Sequence, residues 1–385
     1  MKILLVTDAW KPQMNGVVRT LSKTVEECEK AGHIVEVISP SDGFKTFPLP
    51  SYPEIKIALF PKREVERRIV NFGPDAIHIA TEGPLGWAAR ALCLNWGMAF
   101  TTSYHTKFPE YVKARFPFIP IKLSYKIVRD FHNSGGCIMV TTPSMVEFLK
   151  TKGFHNLAPW ARGVDLEQFS PDIRFSNADE FGPDVYEGLE RPVFVNVGRV
   201  AVEKNIDAFL ALDLPGSKVV VGDGPARKTL ERKYAGKASF VGAKFGAALA
   251  RHYADADVFV FPSKTDTFGL VIIEAMATGT PVAGYPVSGP IDIIPGSNAG
   301  LIDEDLRSAA LGCLKLDRKQ VAKYAQNYSW QKVAADFISY LQPESEPQRR
   351  LRWRRARRMF KLAGAPWRVF KKGARRIGRL MKGWK

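Results

Sequence analysis

The sequence predicts an α/β protein of two domains, each a parallel sheet covered by helices on both faces. Three observations carry that prediction. Short apolar runs alternate with helical stretches through the first half of the chain, as expected of strands buried on both faces and joined by crossover helices. A segment rich in Pro, Gly and acids at 170–192 interrupts the pattern, and a second strand–helix series begins directly after it. Finally, 385 residues suffice for two domains that each bury a core. The expected division is a first domain at 1–168, a linker at 169–191, a second domain at 192–341 and a tail at 342–385.

In the first domain the strand candidates are residues 3–7, 34–39, 55–60, 76–79, 100–103 and 138–142. Sheets of this kind bind ligands beyond the carboxyl ends of their strands, so the loops that follow are the places to look. The loop after the first strand holds Gly16 but neither G-x-G-x-x-G nor a P-loop, which excludes the dinucleotide and ATPase fingerprints. The strand ending near residue 103 runs into Tyr104-His105-Thr106-Lys107-Phe108-Pro109-Glu110-Tyr111. A lone histidine is most often structural, and the position of His105 just past a strand end is what singles it out. Residues 111–129 interleave aromatic and apolar groups with Lys113, Arg115, Lys122, Lys126 and Arg129. This segment reads equally as a solvated helix face and as a membrane-facing entrance for an acceptor.

The second domain opens with a strand near 192–200 that carries Arg199, with Lys204 beyond it. Two cations after a strand end can grip a diphosphate, a guanidinium as a fork and an ammonium as a point charge. Residues 240–244 bring Gly242 and Lys244 to another strand end. The most informative stretch is 263–290. A strand at 258–261 passes through a polar turn into a helix that opens near Phe268, Gly269 and Leu270, carries Glu274 and stops at Gly279 before Pro281. The first turn of a helix has unpaired N–H groups and the positive dipole end, and Gly269 allows close approach to that backbone. Asp266 and Glu274, eight residues apart, are expected to face one side. N–H groups for a diphosphate and carboxylates for hydroxyls would suit a sugar nucleotide, although the pattern alone fits any strand–helix junction.

Charge separates the body from the tail. The net charge is +17, yet residues 348–385 hold 16 Lys and Arg with no Asp or Glu, which leaves 40 basic against 39 acidic residues in 1–347. Within the tail, Trp367, Phe370, Ala374, Ile377, Met381 and Trp384 recur at alternating three and four, one helical stripe, and Trp353, Ala356 and Phe360 form a looser one. A disordered basic tail and nucleic-acid binding are the alternatives. Phosphate-backbone binding has no need of an apolar stripe, so the tail is read as an amphipathic membrane anchor. The four cysteines lie far apart without metal or redox spacing and read as reduced thiols. The first residues form too short an apolar run for a signal peptide, and no run of 18 apolar residues exists.

The wording of the motifs adds a resemblance. Asp266-x-Phe268-Gly269, Glu274-Ala275-Met276-Ala277 and Gly279-x-Pro281-Val282 closely resemble the E-x7-E signature of retaining glycosyltransferase family 4, with the GT-B fold of two Rossmann-like domains facing a central cleft. One departure is Asp266, where much of the family has Glu. The Thr-Asp-Thr-Phe-Gly variant is similar to the branch containing sulfoquinovosyl-, glucosyl- and glucuronosyl-diacylglycerol synthases. Pro12-x-x-x-Gly16-Val17-x-Arg19, Tyr104-His105-Thr106-x-Phe108-Pro109-Glu110-Tyr111, Arg162-Gly163-Val164-Asp165 and Gly198-Arg199-x-x-x-x-Lys204-Asn205 match further family segments, so the resemblance covers about residues 1–341.

It implies a retaining transfer from a nucleotide sugar, UDP-glucose or UDP-glucuronate in type, to a membrane lipid such as diacylglycerol. The enzyme would be peripheral on an anionic membrane surface, at the cytoplasmic face of the inner or plasma membrane. Gly16, Gly242, Lys244, Phe268, Gly269 and Leu270 would line the donor, Arg199 and Lys204 its diphosphate, and Asp266 and Glu274 its hydroxyls on the sugar and ribose sides. His105 would lie near the transferred sugar, with Tyr104, Glu110 and Tyr111 on the acceptor side. No cofactor, metal or nucleic-acid partner is expected. The string Asp255-Ala256-Asp257 looks like the metal-binding D-x-D of other glycosyltransferases, but it precedes a core strand. The rivals are a GDP-mannose-dependent mannosyltransferase with a phosphatidylinositol-like or glycan acceptor, and a non-catalytic membrane or nucleic-acid-binding scaffold.

Overall fold

The computed structural model describes residues 1–13, 15–49, 52–116, 118–174, 184–266 and 268–343. The tail residues expected to meet a membrane, Trp353, Phe360, Trp367, Phe370, Ile377, Met381 and Trp384, lie outside the described residues, as do Thr267 and the middle of the linker. The first sheet contains β1 (Lys2–Val6), β2 (Ile34–Ile38), β5 (Ala76–Ile79), β6 (Thr101–Tyr104), β7 (Cys137–Val140) and β8 (Leu157–Pro159), in the order β2-β1-β5-β6-β7-β8. Every neighbouring pair in it is parallel. Between β2 and β5, β3 (Thr46–Leu49) and β4 (Tyr52–Ala58) form a separate antiparallel pair. The run at 55–60, expected in the parallel sheet, is therefore part of a hairpin. Its partner is too near in sequence for the crossover that parallel pairing requires.

The second sheet is also fully parallel. It contains β9 (Val193–Val197), β10 (Ser217–Val221), β11 (Ser239–Gly242), β12 (Val258–Phe261), β13 (Val282–Gly284) and β14 (Gly300–Ile302), in the order β11-β10-β9-β12-β13-β14. Strand order reverses between β1 and β5 in one sheet and between β9 and β12 in the other. At such switch points the following loops part and leave a crevice.

Alternation along the strands builds the layers. Leu4 and Val6 face a core with Val65, Ile69, Leu85 and Leu92, whereas Ile3 and Leu5 face Leu21, Cys28, Val333 and Phe337. The latter two residues belong to the helix Trp330–Tyr340, which follows the second sheet in sequence yet packs on the first. Trp160 Nε1 donates to Val333 O at 3.0 Å, and Val164 N donates to Tyr328 O at 2.8 Å. A Cβ on Gly163 would lie 2.4 Å from the Trp330 ring, so the crossing needs glycine there. Buried side chains of the size of Phe337 and Val333 contribute about 1.5–3 kcal/mol each.

In the second lobe Phe194, Val220, Val258 and Val260 face one core, and Val193, Val195, Phe259 and Phe261 face the other with Ile272, Ile273 and Met276. Phe169 and Tyr186, from the described ends of the linker, are buried in that second core. Side-chain contacts join the lobes. Arg19 pairs with Glu274, and Asp292 accepts from Ser144 N at 2.7 Å and Ser144 Oγ at 2.6 Å. Among the described residues no helix is long and apolar enough to cross a membrane.

Candidate active site

The loops at the second switch point assemble the donor side. The ends of β9 and β10 approach so closely that a Cβ on Gly222 would lie 1.8 Å from Gly198 O. A 3₁₀ turn, Val202–Lys204, follows, and Asn205, with φ 53°, ties it to the end of β12 through Nδ2–H to Pro262 O at 3.0 Å. This brings Lys204 Nζ to Asp266, at 2.6 Å from Oδ1 and 2.9 Å from Oδ2. Arg199 does not join them: its guanidinium is more than half exposed and pairs with Glu203.

Beyond Asp266 the helix Leu270–Ala277 starts at Gly269, whose φ of 85° is left-handed. No side chain among the described residues caps this helix, so its first N–H groups stay open to a ligand. Phe268 is buried beneath the turn. Gly16 faces Leu270 across the cleft, since a Cβ on it would stand 3.5 Å from Leu270 Cδ1. The helix that Gly16 begins, Gly16–Lys30, is capped instead: Asn15 Oδ1 accepts from Val17 N and Val18 N at 3.1 and 3.0 Å.

Glu274 is buried; it accepts from Tyr253 Oη at 3.1 Å and pairs with Arg19 of the other lobe. Burial, then the Glu274 charge, pushes the Tyr253 hydroxyl well up. Asp266 precedes the helix, so the eight-residue spacing is not a helical one and each carboxylate has its own cation. Gly242 ends β11 with Lys244 beyond it, and burial followed by the Lys244 charge lowers nearby His252 to about 4. In the sequence Arg19 stands out only as a letter of the Pro12-x-x-x-Gly16-Val17-x-Arg19 motif, and Tyr253 belongs to no motif. The available signal was Arg19 at one turn from Gly16 on the face of a helix that opens into the cleft.

Asp255 and Asp257 are occupied elsewhere. Asp255 Oδ2 accepts from Arg251 Nη2 at 2.9 Å, both groups fully buried, and from Val185 N at 3.0 Å. Asp257 Oδ2 accepts from Arg191 Nη1 at 2.9 Å and Val193 N at 2.7 Å. The pair fastens the end of the linker to the second sheet.

On the first lobe His105 follows β6. Arg162 Nη2 stands 3.0 Å from His105 Nδ1, and because guanidinium only donates, Nδ1 must accept. The proton then sits on Nε2, which lies 2.8 Å from Ser103 Oγ. Ser103 Oγ is also 3.1 Å from His78 Nε2, and His78 Nδ1 is 2.9 Å from Thr101 Oγ1. Burial lowers His105 well below the usual histidine range and His78 to about 3. Both imidazoles are thus neutral, and His105 has no ring lone pair to spare as a base.

Tyr104 is packed in the core with Tyr125 and Phe154 rather than open to the cleft. Glu110 accepts from Tyr125 Oη, and Tyr111 lies in the helix Phe108–Arg115. His132 Nε2 stands 2.9 Å from Glu82 Oε1. Asp8, which sequence reasoning passed over, accepts from Thr81 Oγ1 and Leu85 N at 3.0 Å and closes the first switch point.

Residues 14–168 match the family model Glycosyltransferase Family 4, and residues 191–316 match Glycosyl transferases group 1. The chain belongs to glycosyltransferase family 4. This family 4 protein is 32% identical over 273 residues to a sulfoquinovosyl transferase of Arabidopsis thaliana, covering 67% of the chain and 52% of that relative, about half its length. It is 29% identical to a GDP-mannose-dependent alpha-mannosyltransferase of Mycobacterium tuberculosis, over 78% of the chain and 83% of the relative. It is 27% identical to the alpha-monoglucosyldiacylglycerol synthase of Streptococcus pneumoniae, over 74% and 71%. Its fold is that of sucrose-phosphate synthase from Thermosynechococcus elongatus, with a TM-score of 0.66 at 21% identity over 88% of the chain and 97% of that structure. The molecule is a glycosyltransferase with the GT-B architecture, as expected from the motifs.

Within this glycosyltransferase the two switch points bring Lys204, Asp266, Gly269, Leu270, Gly16, Glu274 and Arg19 to one cleft. A cation, open helix N–H groups and two buried or half-buried carboxylates can hold a diphosphate and the hydroxyls on either side of it.

Proposed function

We propose that this glycosyltransferase is a retaining, metal-independent hexosyltransferase. It moves sugar from a UDP-sugar, glucose or glucuronate in type, to a membrane lipid such as diacylglycerol at the cytoplasmic face of the membrane. The observation that carries this reading is the junction of Lys204 and Asp266 with the uncapped N-terminus of the helix Leu270–Ala277, opposite Gly16. Lys204 and the helix N–H groups stabilise the departing diphosphate, whose charge grows in the transition state. Asp266 and Glu274 hold hydroxyls on the sugar and ribose sides. Both carboxylates already hold cations and His105 has no lone pair free, so the donor's own β-phosphate takes the acceptor proton. Metal independence is supported by the engagement of Asp255 and Asp257 with arginines.

Membrane docking is supported by the first lobe. Phe116, Phe118, Ile121, Leu123 and Ile127 are exposed large apolar groups, with exposed Lys122 and Lys126 among them. Apolar groups rimmed by cations suit an anionic interface. The basic tail would add about 1 kcal/mol for each Lys or Arg near an anionic leaflet.

A second reading, GDP-mannose as donor, is favoured by the mycobacterial relative, which the chain matches over 83% of its length. The test is incubation with UDP-glucose, UDP-glucuronate or GDP-mannose and vesicles of diacylglycerol or phosphatidylinositol, in EDTA, followed by lipid chromatography. Glycosylated diacylglycerol with UDP release is the expected result. Turnover of GDP-mannose alone, or a strict need for Mn²⁺, would overturn the reading. Truncation after Leu341 should weaken co-sedimentation with anionic vesicles while leaving nucleotide release intact.

A further inference from the structure

Three neighbouring strand ends of the first lobe hold polar groups that the donor reading does not use. β6, β7 and β8 are parallel and in register, with Tyr104 opposite Val140 and Val140 opposite Pro159. His105, Thr141 and the segment leading to Arg162 therefore emerge at the same carboxyl end of the sheet, the end where α/β sheets bind ligands. Arg162 is only 5% exposed and Thr141 3%. Arg162 reaches over to His105 Nδ1 with Nη2, but its Nη1 finds no hydrogen-bond partner among the described residues, and neither does Thr141 Oγ1. Nor is Arg162 in a salt bridge with any carboxylate among the described residues. The titratable groups around His105, besides Arg162, are the imidazoles of His78 and His132.

Such an arrangement is unfavourable for a fold on its own. A buried cation without a counter-charge is among the most costly groups to desolvate, and an orphan donor at the neighbouring strand end adds to that. Burial lowers Arg162 only to about 10, so it remains a cation at neutral pH. An ordered water could satisfy Nη1 and Thr141 Oγ1, yet it brings no charge. An oxyanion answers both deficits, because a planar guanidinium matches a carboxylate, sulfonate or phosphate edge and a hydroxyl donates to a further oxygen.

We propose that Arg162 and Thr141, beside His105, form a subsite for an oxyanion carried by the substrate. The proposal rests on the reading that a sugar nucleotide and a lipid meet in this cleft. Two sources share the chemistry: an acidic substituent on the donor sugar, or the phosphate of an acceptor lipid headgroup. Arg162 is thereby a specificity residue that selects charge, and its grip on Nδ1 keeps His105 in one tautomer.

The experiment uses the full chain and two arms. In the first, kcat/KM is compared for UDP-glucuronate and UDP-glucose with diacylglycerol. In the second, UDP-glucose is held constant and phosphatidylinositol is compared with diacylglycerol. The wild type should favour the anionic member in one arm by about ten- to a hundredfold, the worth of one charged hydrogen bond, and that arm names the source. Arg162→Gln should bring the ratio to near one, the anionic substrate losing more than the neutral one. Arg162→Lys should keep part of the preference, and Thr141→Val, of similar volume, should reduce it.

The same comparisons by titration calorimetry, with the two nucleotide sugars and with short-chain soluble lipids, read the subsite without turnover. A retained charge preference in binding with no transfer by any pair would sink the proposed activity and leave the subsite standing. A wild type indifferent to charge in both arms overturns the subsite. So does Arg162→Gln lowering both members of a pair equally. If Arg162→Gln does not fold, the wild-type preference and its response to Thr141→Val and Arg162→Lys decide the matter.

Discussion

Replacing Glu274 separates a donor contact from simple packing. The carboxylate is buried, accepts from Tyr253 Oη at 3.1 Å and pairs with Arg19 across the cleft. Glu274→Gln keeps the volume and an acceptor for Tyr253 while removing the charge. Arg19 has a side-chain exposure of 38%, so its guanidinium regains water and the loss of folding stability stays near ~1 kcal/mol. A hydroxyl bonded to a carboxylate is worth about 1.5–3 kcal/mol, so the donor KM should rise about ten- to a hundredfold. Glu274→Ala removes more. It strands the buried Tyr253 hydroxyl, at about 1–3 kcal/mol, and leaves a cavity besides. Nucleotide release against donor concentration, with urea unfolding of each variant, reads the two effects apart. Adding Arg19→Ala to Glu274→Gln should change little further if Arg19 acts through that carboxylate. A Gln variant with wild-type donor KM, and only a lowered unfolding midpoint, would refute the ribose-side role and leave Glu274 as a structural ion pair.

Lys204→Ala should lower kcat/KM by about 2–4 kcal/mol of transition-state stabilisation, and Arg199→Ala by less, since Arg199 is exposed and paired with Glu203; equal and near-normal rates in both would remove the diphosphate site. Asp255→Asn should lower stability, because it removes the carboxylate charge from the fully buried ion pair with Arg251, yet change the rate in EDTA little. The contrary pattern in activity and melting assays, a collapse of rate rescued by Mn²⁺, would reopen a metal role. Stability should also fall on acidification. His78 titrates near 6.5 when unfolded but only at about 3 when folded, so the unfolded chain binds the extra proton between those values. Its contribution is complete above pH 6.5 and is lost at about 1.4 kcal/mol per unit as pH falls toward 3. Urea midpoints at pH 7 and pH 5 measure this, and a His78→Gln variant that still folds should show a shallower slope.

Much of the architecture was legible because buried parallel strands leave a local mark. Runs such as Val258-Phe259-Val260-Phe261 are apolar on both faces, and helices between them carry their own stops at Gly279 and Pro281. The donor helix was legible for the same reason, since strand, turn, glycine and helix follow one another within a few residues. Local pattern failed where pairing depends on a partner. β4 read as another parallel strand, and only its partner β3 placed it in a hairpin.

The sequence by itself determined two α/β lobes, a basic tail and the glycines and acids of the donor turn, because each depends on neighbours along the chain. Tertiary structure alone decided which charges meet. Arg19 and Glu274 are 255 residues apart and touch only because the two switch points face each other. Lys204 rather than Arg199 reaches Asp266 because Asn205 ties its turn to the end of β12. His105, expected near the transferred sugar, has both nitrogens taken by Ser103 and Arg162. The unmatched charge of Arg162 exists only once β6, β7 and β8 lie side by side, since desolvation is a property of everything packed around a group.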